Sequence, residues 1–375
     1  MCIAIGINRR WGHFAKERLT VTFERLLYTA TAHAYHPRHD SRGANRRHEP
    51  RILPELPPKP SEDVTSKLFP GFVQTEDRTT GATVPVCHKG DGPPVLLLHG
   101  YPETHVTWHK VAPRLGSRFS VYVPDLRGYG DSSRPSDGDR HINYSFRAMA
   151  LDQVETMRHF GHEPFLVGAH DRGARVAHRL CLDFPTSVTK VCLMDIAPTL
   201  TMYRHTNQEF STKYMWWFFL IQGAPLPEHL IGLDPQYYLE ATLDGLNKTP
   251  GAITREALSE YRRCFCCTST IHGGCEDFRA SAGIGREMDE ADDHAGHKIV
   301  APVHALWGAK TPLGSCGTSS RPGGRKRAHL LPGAVSIAAI SSRKNGPRKP
   351  FRNWTTSSPQ CRFRSNRRLT CKSGV

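Results

Sequence analysis

FLVGAHDRGARVAHRL, residues 165–180, joins a short apolar run to an amphipathic stretch through a polar break at His170 and Asp171. An apolar run of this length, closed by a sharp break and followed by helical spacing, is the pattern of a buried strand feeding directly into a helix. An aspartate at such a junction has two readings. It caps the helix by accepting hydrogen bonds from the free N–H groups of the first turn, or it is presented on the turn as a carboxylate nucleophile.

Outward from this segment the same rhythm repeats. VLLLHG (95–100), FSVYVPD (119–125), KVCLMD (190–195) and VHALWG (303–308) are short apolar runs, each closed by Gly or Asp, and amphipathic stretches such as FRAMALDQVETMRHFG (146–161) lie between several of them. Buried parallel strands alternating with helices, an α/β fold, account for this. From about 199 to 298 the strand rhythm stops. That interval is rich in aromatic residues and reads as a helical lid over the carboxyl edge of the sheet.

VLLLHGYPETH (95–105) followed by VPDLRGYGDSS (123–133) gives the chain its specific resemblance, to the α/β-hydrolases. The resemblance implies a mostly parallel sheet flanked by helices, with Asp171 as nucleophile at the elbow and the backbone N–H groups of Tyr101 and Arg172 as oxyanion donors. HDRGAR (170–175) further resembles haloacetate and fluoroacetate dehalogenases, in which Arg172 and Arg175 bind a small substrate carboxylate. Three residues apart on one turn, two guanidinium forks can face one point. In the same resemblance Asp195 orients a catalytic histidine, and the leaving-group pocket falls at Trp216, Trp217 and Phe278. Only Trp217 keeps the family residue there, so two of three halide donors are gone and fluoride is a doubtful leaving group. No metal or cofactor is implied. An epoxide hydrolase of the same fold is the alternative, requiring two lid tyrosines from Tyr214, Tyr237, Tyr238 and Tyr261.

The 375 residues carry a formal charge of +15, unevenly spread. Residues 314–375 hold 14 Lys or Arg and no acid, and residues 1–60 hold 11 against 5, which leaves about −5 for the remainder. The basic character belongs to the ends, so nucleic acid is not the expected partner of the core. A non-catalytic protein whose basic ends bind RNA or membrane is the reading from a different class. Eleven cysteines without regular spacing suit a reduced compartment, and the cluster Cys264, Cys266, Cys267 lacks a second ligand pair at zinc spacing. No apolar run is long enough to span a membrane. A cytoplasmic location is expected, with a mitochondrial one as the alternative for the acid-poor first 16 residues, and a homodimer is left open.

These features divide the chain into a basic, disordered leader (1–66), a hydrolase core (67–313) and a basic, disordered tail (314–375). The resemblance stops at WGAKTPLG (307–314), before the last strand, the catalytic histidine and the closing helix of the family. The tail has the composition of a wrong reading frame. Shifted by two nucleotides, codons for SCGTSSRPGGRKRA (315–328) can read LWDVIATWREKA. Codons for IAAISSRKNGPRKP (337–350) can read CGHFFPEERPEET, and those for FRNWTTSS (351–358) SKLDDFF. A frameshift or misplaced splice near 310–315 is therefore expected, with the family histidine encoded across Ala339 and Ile340. His329 is the sole histidine in the tail as written, followed by LLPG.

Overall fold

The structure, a computed structural model, describes residues 53–59, 66–247 and 249–308. The leader before residue 53, the tail, His329 and the expected frameshift lie outside the described residues.

Among the described residues seven strands form one sheet in the order β1-β2-β4-β3-β5-β6-β7. They are β1 (Val73–Arg78), β2 (Thr83–Lys89), β3 (Pro94–Leu98), β4 (Ser120–Pro124), β5 (Phe165–His170), β6 (Val188–Met194) and β7 (Val303–Leu306). The five apolar runs of the sequence are β3 to β7, and they pair in parallel. Val95, Leu96, Leu97 and Leu98 are wholly buried, as a central strand covered on both faces must be. Sequence reading passed over β1 and β2. They pair antiparallel with each other, and β2 pairs antiparallel with β4. The reason is physical: β1 reads VQTEDR and faces solvent almost throughout, so it contains no apolar run to detect.

Helices α1 (Ala112–Leu115), α2 (Phe146–His159) and α3 (Asp171–Asp183) belong to the sheet's own connections. Ser145 starts α2 by accepting from Ala148 N–H at 3.2 Å, and Phe146, Met149, Ala150, Val154 and Met157 make its buried face. Between β6 and β7 the described residues form eight helices: α4 (Thr199–Arg204), α5 (Gln208–Lys213), α6 (Met215–Phe219), α7 (Leu226–Leu233), α8 (Pro235–Leu246), α9 (Arg255–Phe265), α10 (Thr268–Ala282) and α11 (Ile284–Ala295). None of the described helices is long and apolar enough to cross a membrane.

This helical insertion meets the sheet portion along a seam of charged pairs. Arg263 of α9 bridges Asp131 at 2.6 Å, His272 of α10 meets Asp137 at 2.9 Å, and Glu276 of α10 meets His141; within the insertion His272 also meets Glu228 of α7 at 3.1 Å. Arg140 pairs with Glu287 of α11 at the solvent edge, where both side chains are about half exposed. Beneath the seam, β3, β5 and β6 are neighbours running the same way. Residues just past their carboxyl ends therefore meet at one edge of the sheet, where open α/β sheets bind ligands.

Candidate active site

Asp171 stands at that edge with φ +46°, in the left-handed region that costs a residue with a Cβ about 1–3 kcal/mol. His170 before it is extended and the helix begins at once, so the chain reverses within a residue and the carboxylate is left at the strand tip. Two glycines make this possible. A Cβ on Gly100 would stand 2.7 Å from Asp171 Cβ, and one on Gly173 would stand 2.4 Å from the His99 carbonyl oxygen. Gly173 N–H also donates to that carbonyl at 2.8 Å, fastening α3 to the end of β3. Ala is normally the better helix former by about 1 kcal/mol. Here Gly173→Ala is expected to destabilise by about 1–3 kcal/mol instead, because the clash is with backbone. Thermal unfolding decides the sign, and an unchanged or higher melting temperature would refute the close approach.

Tyr101 N–H donates to Asp171 Oδ1 at 3.0 Å, which places the expected backbone donor on the expected carboxylate. His99, from the same strand end, serves as a fastener. Leu126 N–H donates to its Nε2 at 3.0 Å, so Nδ1 carries the proton and donates to Gly100 O at 2.9 Å. Burial holds its pKa down, and the ring is neutral. Asp195, just past β6, also has a positive φ of +55°. Its N–H donates to Leu306 O at 2.8 Å and its Oδ1 accepts from Gly308 N–H at 3.0 Å, so it is tied to the end of β7.

The two arginines are wholly buried or nearly so, which rules out a pair of surface cations on a helix. They are held differently. Arg172 Nε donates to Asp277 Oδ2 at 2.8 Å and its Nη2 to the other carboxylate oxygen, while the guanidinium lies 4.0 Å from the Phe278 ring centre and 4.7 Å from that of Phe146. Burial works against its charge, but Asp277 outweighs it and holds the pKa well above the ordinary arginine value. Arg175 finds neutral acceptors, Ala197 O and Thr199 Oγ1, each at 3.0 Å, with its guanidinium 4.5 Å from the Trp217 ring centre. Burial, then the Arg172 charge, push its pKa down to about 10. Arg172 Nη1 and Arg175 Nε are buried with no hydrogen-bond partner among the described residues.

Phe278 and Trp217 close the site from the insertion. Both are buried, and Phe278 packs edge-on to Tyr101 with ring centres 5.2 Å apart. Trp216 is half-buried and its ring packs on Tyr214 at 5.4 Å. The tyrosines divide likewise: Tyr237 is 72% exposed, whereas Tyr101 OH donates to Tyr238 OH at 3.3 Å. Sequence reading missed Asp277 and Tyr129, whose hydroxyl donates to Asp277 at 2.6 Å. A signal for Asp277 existed in CEDFRA (275–280), since a buried arginine beside a nucleophile needs a counter-charge and this acid adjoins Phe278. Glu103 and His170 were also passed over. Glu103 Oε2 lies 3.3 Å from His170 Nδ1, and nothing in a single Glu at a turn announces that.

Comparison with known proteins points to one fold family. The profile of the alpha/beta hydrolase fold family matches residues 93–248. Fluoroacetate dehalogenase of Burkholderia sp is 40% identical over 243 residues, 64% of this chain and 79% of that protein. The soluble epoxide hydrolase of Corynebacterium sp. (strain C12) is 32% identical over 60% of this chain and 77% of its own. A crystal structure from Nostoc sp PCC 7120, described as of the alpha/beta hydrolase kind, is 54% identical with TM-score 0.64, covering 66% of this chain and 84% of that one. With its sheet order, its strained aspartate at the strand–helix elbow and these relatives, the chain belongs to the alpha/beta hydrolase fold family and is by that membership a hydrolase.

Proposed function

We propose that this hydrolase displaces halide from a small 2-haloacid. The observation that carries the reading is Arg175: a buried guanidinium one helical turn from Asp171, paired with no carboxylate among the described residues, beside a second guanidinium with an unpartnered N–H. A buried cation without an anion is costly, and a substrate carboxylate supplies one. An Asp171 oxygen attacks the carbon that bears the halogen, the carbon–halogen bond breaks, and halide leaves with its electron pair. An alkyl ester of Asp171 remains. Completing hydrolysis needs a base to take a proton from water as it adds to the ester carbonyl; charge then gathers on an oxygen facing the N–H groups of Tyr101 and Arg172, and collapse, with a proton passing to the departing alkoxide, frees the 2-hydroxyacid and regenerates the carboxylate, a step expected to be impaired here by loss of the family histidine. Asp195 is the acid that would orient the base for that water. Residues 199–298 act as the lid, with Trp216, Trp217 and Phe278 toward the leaving group. Since only Trp217 retains a family donor, bromide and chloride are expected to leave far more readily than fluoride.

Chloroacetate is the test ligand, against chloroacetamide of nearly the same shape. Losing a charge-assisted contact to a buried guanidinium costs about 1.5–3 kcal/mol or more, so the acid should bind at least about tenfold tighter. Equal affinity in a competition assay would sink the assignment. One observation favours the epoxide reading, the hydroxyl pair of Tyr101 and Tyr238, although only Tyr238 of the two comes from the insertion. Faster turnover of a neutral epoxide such as styrene oxide than reaction with chloroacetate would decide for it.

A further inference from the structure

Glu103 and His170 stand where the two halves of the site are joined. Glu103 Oε2 lies 3.3 Å from His170 Nδ1 and 3.3 Å from the N–H of Gly100, and Glu103 N–H closes the same turn onto Gly100 O at 3.1 Å. Inside that turn is Tyr101, whose N–H reaches Asp171. His170 is the last residue of β5 and directly precedes Asp171. There is no slack between them: a Cβ on Gly100 would stand 3.2 Å from His170 Nδ1 as well as against Asp171.

We propose that Glu103 and His170 are positioning residues for the reaction proposed above, an ion-paired brace that fixes the turn carrying the Tyr101 N–H against the strand end carrying Asp171. The brace thereby sets the donor that meets the oxyanion when the Asp171 ester is hydrolysed. A donor of this kind works only if it is already aimed, because reorganising it during the reaction forfeits its advantage.

The charges around the imidazole suit this role. The groups facing His170 are Glu103 from the turn, Asp171 from α3 and Asp195 from beyond β6, all acidic. Burial works against the imidazolium, but the Glu103 hydrogen bond and charge, with the two aspartates, raise its pKa to about 9. Burial also opposes the Glu103 carboxylate, which His170 nonetheless holds below its ordinary value. The pair is charged at neutral pH. It loosens as pH rises through about 9, and on the acid side only below the usual carboxylate range.

Nuclear magnetic resonance of the isotope-labelled full chain tests the brace without any substrate. The Tyr101 amide signal should titrate together with the His170 ring near pH 9. Glu103→Gln should drop the His170 titration toward its ordinary value of about 6.5 and carry the Tyr101 transition with it. A Tyr101 amide indifferent to His170, or a His170 titration unmoved in Glu103→Gln, overturns the brace. With chloroacetate, His170→Gln should slow the residual, base-free decay of the stalled Asp171 adduct by about 10- to 100-fold, slow adduct formation by about threefold at most, and abolish the alkaline limb of that decay's pH profile. Equal slowing of both steps with an unchanged profile also overturns it. A wild-type chain forming no adduct sinks the dehalogenase reading instead, and the resonance experiment then decides the brace alone.

Discussion

Chloroacetate is expected to leave a carboxymethyl group on Asp171 and then to halt. Displacement needs the carboxylate and the guanidinia, which the structure gathers, whereas hydrolysis of the ester also needs a base to activate water. In the sequence as written the segment after 313 contains His329 alone, in surroundings unlike those of the family histidine. General-base catalysis typically contributes about 10² to 10⁴ in rate, so the chain should release at most about one halide per molecule before stalling. Mass spectrometry should find the peptide containing Asp171 heavier by one carboxymethyl group. A chain translated in the shifted frame beyond residue 313 should turn over and keep no lasting adduct. Sustained turnover by the original sequence, surviving replacement of His329, would mean that the mechanism or its base has been misassigned.

The two arginines should respond in opposite directions to the same substitution. Arg175→Met removes a buried cation that has no carboxylate partner and fills the space with a flexible apolar side chain. Removing it relieves the desolvation cost of a buried charge that no carboxylate offsets, against the loss of its hydrogen bonds to Ala197 O and Thr199 Oγ1. Arg172→Met strands the buried Asp277 carboxylate instead, and breaking one side of a buried pair costs about 3–5 kcal/mol. Denaturant titration should therefore show Arg175→Met as stable as the parent or more so, with chloroacetate affinity lost by tenfold or more for want of about 1.5–3 kcal/mol. Comparable destabilisation by both would show that Arg175 has an anionic partner that the described residues do not supply.

Legibility in the sequence followed chemistry that is local. β3 to β7 were visible because a strand covered on both faces must be apolar, and the elbow was visible because Asp171 sits between a strand pattern and a helix pattern. Tyr101 and the two arginines followed from motifs contiguous with those elements. β1 escaped because an edge strand turned to solvent is free to be polar. Asp277 escaped for another reason: its partner Arg172 lies 105 residues earlier, and only folding brings α10 over α3. The difference between the arginines was hidden in the same way, since it depends on which of two adjacent cations that distant acid reaches.

The seam between insertion and sheet holds by two kinds of adhesion. Around the site, Tyr101, Phe265, Phe278 and Trp217 make an oily contact, whereas farther out the surfaces meet through Arg140 and Glu287, His272 and Asp137, and Arg263 and Asp131. If the outer rim parts, it uncovers groups that water wets readily, so peeling from the edge exposes little that would stick to another molecule. The reach of exposed charge shrinks from about 10 Å at 0.1 M salt to about 3 Å at 1 M, while contact between aromatic rings does not weaken in that way. Added salt should thus weaken the exposed pairs, Arg140 with Glu287 and His272 with Asp137, before it touches the aromatic centre. A protein whose rim is unzipped by brine and whose heart is not would breathe at its margin while keeping its reacting groups aligned.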